Sequence, residues 1–311
     1  MNQSVRAVHP SWVVLPHQQT DKPTVLAFLL ARFPAISESI WRQRLQQGKV
    51  HWQDGELITE LTPYRAAQRV YYYREVTSEP RIPLQEQILH QDAHSLLVFK
   101  PHFLPVTPGG SFVNECLVAR LRARTGIDSI VPVHRLDRDT SGVMLMSVCA
   151  ASRDAYHGLF RDRKIHKCYQ ALAPLTPALQ RQVPQGWLSA PIGWTVKNRI
   201  ERGKPGFTMR VVSGVPNSHS EIRLLAVKDD IGLFELQPIT GKTHQLRLHM
   251  QSLGMPLLND RYYPALQPLQ ADDFSRPLKL VACELRYHDP ISGEPRYISC
   301  DGFAAELESG C

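Results

Sequence analysis

The sequence predicts an α+β protein made of a small N-terminal unit and a larger domain, and three observations carry that expectation. A chain of 311 residues with 43% hydrophobic content is long for one core and suits one large plus one small domain. Strand-length segments, apolar at 96–99 and 143–146 and alternating at 221–227, 232–237 and 279–287, are interspersed with segments of helical period at 114–124 and 150–160. A polar, proline-punctuated stretch at 77–84 reads as a domain boundary. The expected division is an arm at 1–20, a small α+β unit at 21–76, the linker at 77–84 and the large domain at 85–311.

Residues 1–20 lack periodicity and read as an arm laid on the surface. Thr24 can cap a helix whose apolar face holds Val25, Leu26, Leu29 and Leu30, stopped before Pro34. Ser37 can cap a second, with Ile40, Trp41 and Leu45 inward, Arg42 and Arg44 outward, and Gly48 at its end. Val50, His51 and Trp52 followed by Asp54-Gly55 read as a strand and tight turn, and 69–73 as another strand. Beyond the linker, a buried strand at 96–99 leads into Lys100-Pro101 and a loop to Gly110, then to the helix at 114–124. The tail after Gly302 reads as peripheral.

The net charge of +7 nudges the expectation towards an anionic partner. Two basic clusters supply a candidate phosphate track: Arg161, Arg163, Lys164 and Lys167, then Lys197, Arg199, Arg202, Lys204 and Arg210. The cysteines (Cys116, Cys149, Cys168, Cys283, Cys300, Cys311) form neither a CxxC pair nor a zinc-spaced cluster with histidine, so they read as reduced thiols of a cytoplasmic protein. No metal site, cofactor fingerprint, P-loop or membrane-length apolar run is present. A cofactor-free monomer is the expectation.

One stretch stands out: His134-Arg135-Leu136-Asp137-Arg138-Asp139-Thr140-Ser141-Gly142, followed by the apolar run 143–146. Thr140-Ser141-Gly142 is turn chemistry, and an extended approach would put Val131, Val133, Arg135 and Asp137 on one face. The order HRLDRDTSG resembles the signature of the RluA-type pseudouridine synthases, which isomerise uridine to pseudouridine in structured RNA. Lys167-Cys168-Tyr169 is similar to that family's KxY motif. Thr240-Gly241-Lys242-Thr243-His244-Gln245-Leu246-Arg247, continuing to Leu253-Gly254-Met255-Pro256 and Asp260-Arg261-Tyr262, looks like its later element. The resemblance covers roughly residues 85–300. It implies a catalytic domain on a mixed, largely antiparallel sheet with flanking helices, acting on ribosomal or transfer RNA. The small unit resembles the S4 RNA-binding domain, with Arg42 and Arg44 as the basic residues of its second helix.

The resemblance assigns Asp137 as the catalytic carboxylate, Arg247 as its basic partner and Tyr169 as the group against the target base, a candidate to remove the C5 proton. Arg135 resembles the residue that fills the space left by the flipped nucleotide, a role that suits a guanidinium able to stack and to bond phosphate. Asp139 competes with Asp137, but its place before the turn favours a local backbone bond. Thr243 can cap a helix with Leu246, Met250 and Leu253 inward and Arg247 in the first turn, where a guanidinium within about 4–6 Å favours an ionised carboxylate. His134 reads as a satisfied core histidine, and His244 and Gln245 as hydrogen-bonding groups. Two other readings remain open here: a nucleoside glycosidic hydrolase, and a non-catalytic RNA-binding or assembly protein.

Overall fold

The computed structural model describes residues 4–17 and 22–308, so Cys311 and part of the expected arm lie outside it. The chain divides into two compact units, 1–81 with 108–115, and 82–107 with 116–311. No described helix is long and apolar enough to cross a membrane.

The first unit runs β1 (Val5–Arg6), β2 (Ser11–Val14), α1 (Val25–Arg32), α2 (Glu38–Gln46), β3 (Val50–Trp52), β4 (Arg69–Tyr72) and β5 (Glu75–Val76). Both helix starts follow from local chemistry. The Thr24 hydroxyl accepts from the Ala27 N–H at 3.2 Å, and the Ser37 hydroxyl from Ile40 at 3.4 Å. The antiparallel sheet β2-β4-β3 buries Leu15, Val50, Trp52, Val70 and Tyr72 with Val25, Leu29, Trp41 and Leu45 of the helices.

Four expectations need correction in this unit. Residues 11–14 are an edge strand, not part of a surface arm, because their N–H and C=O groups pair with β4. Ile40 is 43% exposed, since Trp41 and Leu45 already fill the inward side of α2. Arg44 is not outward: it is buried, its guanidinium over the Trp41 ring and 4.0 Å from the Glu75 carboxylate. The linker is anchored, because the Glu79 carboxylate accepts from the backbone N–H groups of Val113, Asn114 and Glu115.

The second unit runs β6 (Gln87–Gln91), β7 (Ser95–Lys100), α3 (Leu117–Thr125), β8 (Val131–Pro132), β9 (Ser141–Ser147), α4 (Arg153–Arg161), β10 (Ile165–Pro174), α5 (Pro177–Gln180), β11 (Gly186–Arg202), β12 (Met209–Val212), β13 (Ser218–Lys228), β14 (Ile231–Pro238), α6 (Gln245–Ser252), β15 (Leu280–His288), β16 (Pro295–Ser299) and α7 (Ala304–Glu308). Among the described residues eleven strands form one mixed sheet in the order β12-β11-β13-β14-β10-β15-β9-β7-β6, with β16 added to β15 and β8 to β9. The β9–β15 pair is parallel and the other pairs are antiparallel. The fold is the expected α+β class.

All seven residues of β9 are buried, as the apolar run predicts. At Gly142 a Cβ would stand 2.3 Å from the Ala282 carbonyl oxygen, so only glycine admits β15 this close. The tail is not peripheral, because Phe303 packs with Cys168, Leu172, Val281 and Cys283 on one sheet face. Leu246 and Met250 of α6 pack against Ala171, Leu224, Phe234 and Leu236, which fixes that helix over β10, β13 and β14.

Candidate active site

The expected extended face from Val131 to Asp137 does not form. Strand β8 ends at Pro132, and the chain turns through 133–140 as a loop before β9. Lys100 holds that loop from beneath. Its buried Nζ donates to the carbonyls of Pro101, Leu104 and Arg138 at 2.9, 2.9 and 3.0 Å. Burial pushes this ammonium down to about 7, against the pull of Asp139 and Asp137. His102 braces the other side, donating from Nδ1 to the Asp139 carbonyl at 2.7 Å and accepting at Nε2 from the Ser141 hydroxyl at 2.9 Å. Arg138 makes a bidentate pair with Asp272 at 2.8 and 2.7 Å. The Asp139 carboxylate turns to Arg138, 3.1 Å away, not to backbone as the turn chemistry suggested.

Against this loop stands the start of α6. Its N-cap is His244 in the left-handed region at φ 55°, one residue beyond the Thr243 expected from sequence, and no side chain caps the helix. That turn sends His244 and Arg247 to the same point. Both approach the same oxygen of Asp137, His244 Nε2 at 3.9 Å and Arg247 Nη1 at 3.9 Å.

The first partner of Arg247 is a residue to which the sequence assigned no role. Its Nε and Nη2 donate to Asp260 at 2.8 and 2.5 Å, and both side chains are 1% exposed. Asp260 also accepts from the N–H groups of Tyr262 and Tyr263. Burial opposes the Arg247 charge, but the Asp260 bonds and charge, then Asp137, hold it more firmly protonated than a free guanidinium. The only signal for Asp260 was its place in the quoted motif.

The His244 ring is held by its neighbour Tyr263. The Tyr263 hydroxyl donates to the Met209 carbonyl at 3.1 Å and accepts the Met209 N–H at 2.8 Å. His244 Nδ1 lies 2.8 Å from the same hydroxyl, which turns Nε2 towards Asp137. Burial lowers the proton affinity of this ring, opposed by the nearby Asp137 charge.

Tyr169 enters from β10, where a bulge between Cys168 and Tyr169 shifts the register with β15. Burial first and the Asp137 charge second hold its phenol protonated well above the usual tyrosine range. Tyr169 is therefore a neutral surface in the resting site, and it can take a proton only after giving up its own.

These groups line a cleft of about 1310 Å³ that brings together Asp137, Tyr169, Arg247, Arg135, Arg163, Lys164 and Lys167. Arg135, Arg163 and Lys164 are exposed. Burial lowers the proton affinity of Lys167. The second basic cluster is elsewhere: Lys197, Arg199 and Arg202 lie along β11 and do not line the cleft, and Arg199 pairs with Glu201 at 2.7 Å. Lys242, Arg286 and Arg296 line the cleft and were not singled out. Lys242 lay inside a quoted motif, whereas the two arginines sit on β15 and β16 and only the fold brings them there. His134 is satisfied as expected, accepting the Leu145 N–H at 3.0 Å and stacking on Phe160, but it is half-buried at the cleft wall and not in the core. Among the described residues no group of three or more His, Cys, Asp or Glu side chains could hold a metal ion.

Residues 94–252, just over half of the chain, match the family model described as RNA pseudouridylate synthase. An uncharacterised RNA pseudouridine synthase of Synechocystis sp. is 31% identical over 77% of this chain and 79% of that protein. The chain belongs to the RNA pseudouridylate synthase family. A dual-specificity RNA pseudouridine synthase RluA of Pasteurella multocida is 34% identical over 67% of this chain and 89% of its own length. In fold the synthase is similar to human RNA pseudouridylate synthase domain containing 1, with a TM-score of 0.55 and 24% identity over 74% of this chain and 89% of that one. The enzyme is an isomerase that converts uridine in RNA to pseudouridine, and its cleft has the cationic rim that an RNA substrate demands.

Proposed function

We propose that this synthase modifies uridine in ribosomal or transfer RNA in the cytoplasm, with Asp137 as the catalytic carboxylate. The reaction breaks the bond from C1′ to N1, turns the base and joins C1′ to C5. The C5 proton leaves and N1 ends with one. The observation that carries the reading is the convergence of Arg247 and His244 on one oxygen of Asp137, at the cationic cleft. Arg247 supports the ionised carboxylate and is itself locked by Asp260. Arg135, exposed on the same loop, enters the space vacated by the flipped nucleotide. Tyr169 lies against the base. Lys164, Lys167 and Arg163 hold the flanking phosphates.

The two helices and small sheet of the first unit support an S4-like reading of its shape. They do not support phosphate binding by α2, because Arg42 pairs with Glu38 and Glu60 and Arg44 is buried.

The test is to map pseudouridine in ribosomal and transfer RNA from cells with and without the gene, and with Asp137→Asn in its place. The expected result is loss of one or a few defined pseudouridines, restored by the wild type and not by the variant. Purified Asp137→Asn should bind RNA within severalfold of wild type and make no pseudouridine. Release of free uracil, or isomerisation at the wild-type rate, would overturn the assignment.

A further inference from the structure

We propose that the open face of the sheet β2-β4-β3 is an RNA-binding surface of its own, which stacks unpaired bases and holds their phosphates. It belongs to the first unit, so its test does not depend on the roles assigned to Asp137 and its neighbours.

Strand alternation decides which residues this face carries. Val50, Trp52, Val70 and Tyr72 point into the core beneath α1 and α2. The alternate positions Trp12, His51, Arg69 and Tyr71 therefore point away from it. The register aligns three rings in one row across the sheet, because Trp12 and His51 are both direct partners of Tyr71. The His51 and Tyr71 rings are parallel within 9° at 5.5 Å, and Tyr73 stands 6.1 Å from His51. Trp12 is 53% exposed, a costly position for a ring whose burial is worth so much.

Two arginines complete the surface. The Arg69 guanidinium lies 4.8 Å from the Trp12 ring centre, and that of Arg6 5.0 Å from Tyr73. Among the described residues no carboxylate is ion-paired with either, in contrast to Arg42 on α2, which two glutamates hold. An anionic strand with flat bases has the complementary inventory: π-faces for the rings and phosphates for the guanidinium groups. With strands about 4.8 Å apart, the row from Trp12 to His51 spans about 10 Å, room for about two splayed nucleotides. The row of flat rings, with two guanidinium groups beside it that no carboxylate holds among the described residues, matches an anionic strand of bases better than a protein surface.

The experiment measures binding of a labelled single-stranded oligouridylate to the full chain by fluorescence anisotropy. It compares wild type with Trp12→Ala, Tyr71→Ala, Trp12→Phe and Arg69→Ser. Loss of one stacking ring should weaken binding by about five- to 150-fold. Trp12→Phe should retain most of the affinity, and Arg69→Ser should flatten the salt dependence by about 0.7 units of slope. The value of kcat at saturating RNA should not change, while KM rises. Asp137→Asn should leave oligonucleotide binding intact, which separates this surface from the chemistry. Affinities of Trp12→Ala and Tyr71→Ala within twofold of wild type, in variants with native circular dichroism, would overturn the proposal. So would an unchanged salt slope in Arg69→Ser, whose exposed side chain leaves the core untouched.

Discussion

Arg247 carries two loads that a pair of substitutions can separate. Its guanidinium is locked to Asp260 out of solvent, and its remaining Nη1 faces Asp137 at 3.9 Å. Arg247→Met leaves the Asp260 carboxylate buried and unpaired, which should cost about 3–5 kcal/mol. At about 2–4 °C per kcal/mol for a domain of this size, Tm should fall by about 6–20 °C. The interaction across 3.9 Å has a ceiling of about 4 kcal/mol at an effective dielectric of about 20, so turnover should fall by up to about a thousandfold. The double variant Arg247→Met with Asp260→Asn removes both charges and keeps an oxygen for the N–H groups of Tyr262 and Tyr263. It should recover at least half of the lost Tm and none of the turnover. Thermal denaturation by circular dichroism and single-turnover pseudouridine formation on a transcript read the two quantities. Recovery of turnover together with Tm would show that Arg247 acts through the fold alone. An unchanged Tm in Arg247→Met would refute the buried pair.

Burial holds His134 neutral, with its proton affinity pushed down from 6.5 to about 3, while the unfolded ring titrates normally. Its contribution is complete above pH 6.5 and is lost as pH falls towards 3. His134→Gln should therefore flatten the decline of the urea midpoint between pH 6.5 and 4 relative to wild type. Gly142→Ala should yield insoluble or unfolded protein, because its Cβ would meet Ala282 backbone at 2.3 Å. Gly293→Ala, with φ 78° and open space around its Cβ, should cost only about 1–2 kcal/mol in the same denaturation assay. Turnover should be the same after dialysis against EDTA, since no described cluster of side chains could hold a metal ion.

Features with local causes were legible in the sequence. The caps at Thr24 and Ser37, the buried run of β9 and the Leu246–Met250 stripe all follow from neighbours within a few residues. What escaped depends on contacts made far along the chain or on patterns that carry no period. The Asp260 partner of Arg247 is fixed by a turn beyond α6, and nothing in helical spacing announces it. Strand β11 does alternate, with Ile192, Trp194, Val196 and Ile200 inward, but Pro191 and Gly193 interrupt the pattern and the outward Lys197 and Arg202 read as a phosphate track. Arg44 carries the sequence mark of a surface residue, yet it is buried with the Glu75 carboxylate of β5 4.0 Å away. The shift of the α6 cap from Thr243 to His244 needs a left-handed residue that composition alone would not assign to histidine.

The place of β15 in the sheet sets the order in which the enzyme can be built. Strands β9 and β10 flank the catalytic loop and carry Tyr169, yet they do not touch each other, because β15 lies between them. Their shared neighbour is made more than a hundred residues later, at Leu280–His288. A chain emerging from the ribosome therefore holds the whole HRLDRDTSG stretch, and even α6, before a cleft can exist. Until β15 is made, the edge of the all-buried β9 stays open at Ser141 and Gly142, beyond the end that β8 covers, a surface that invites mispairing or a chaperone. Nascent chains stopped short of β15 should bind no target uridine. Closure of the sheet and onset of isomerisation become the same event.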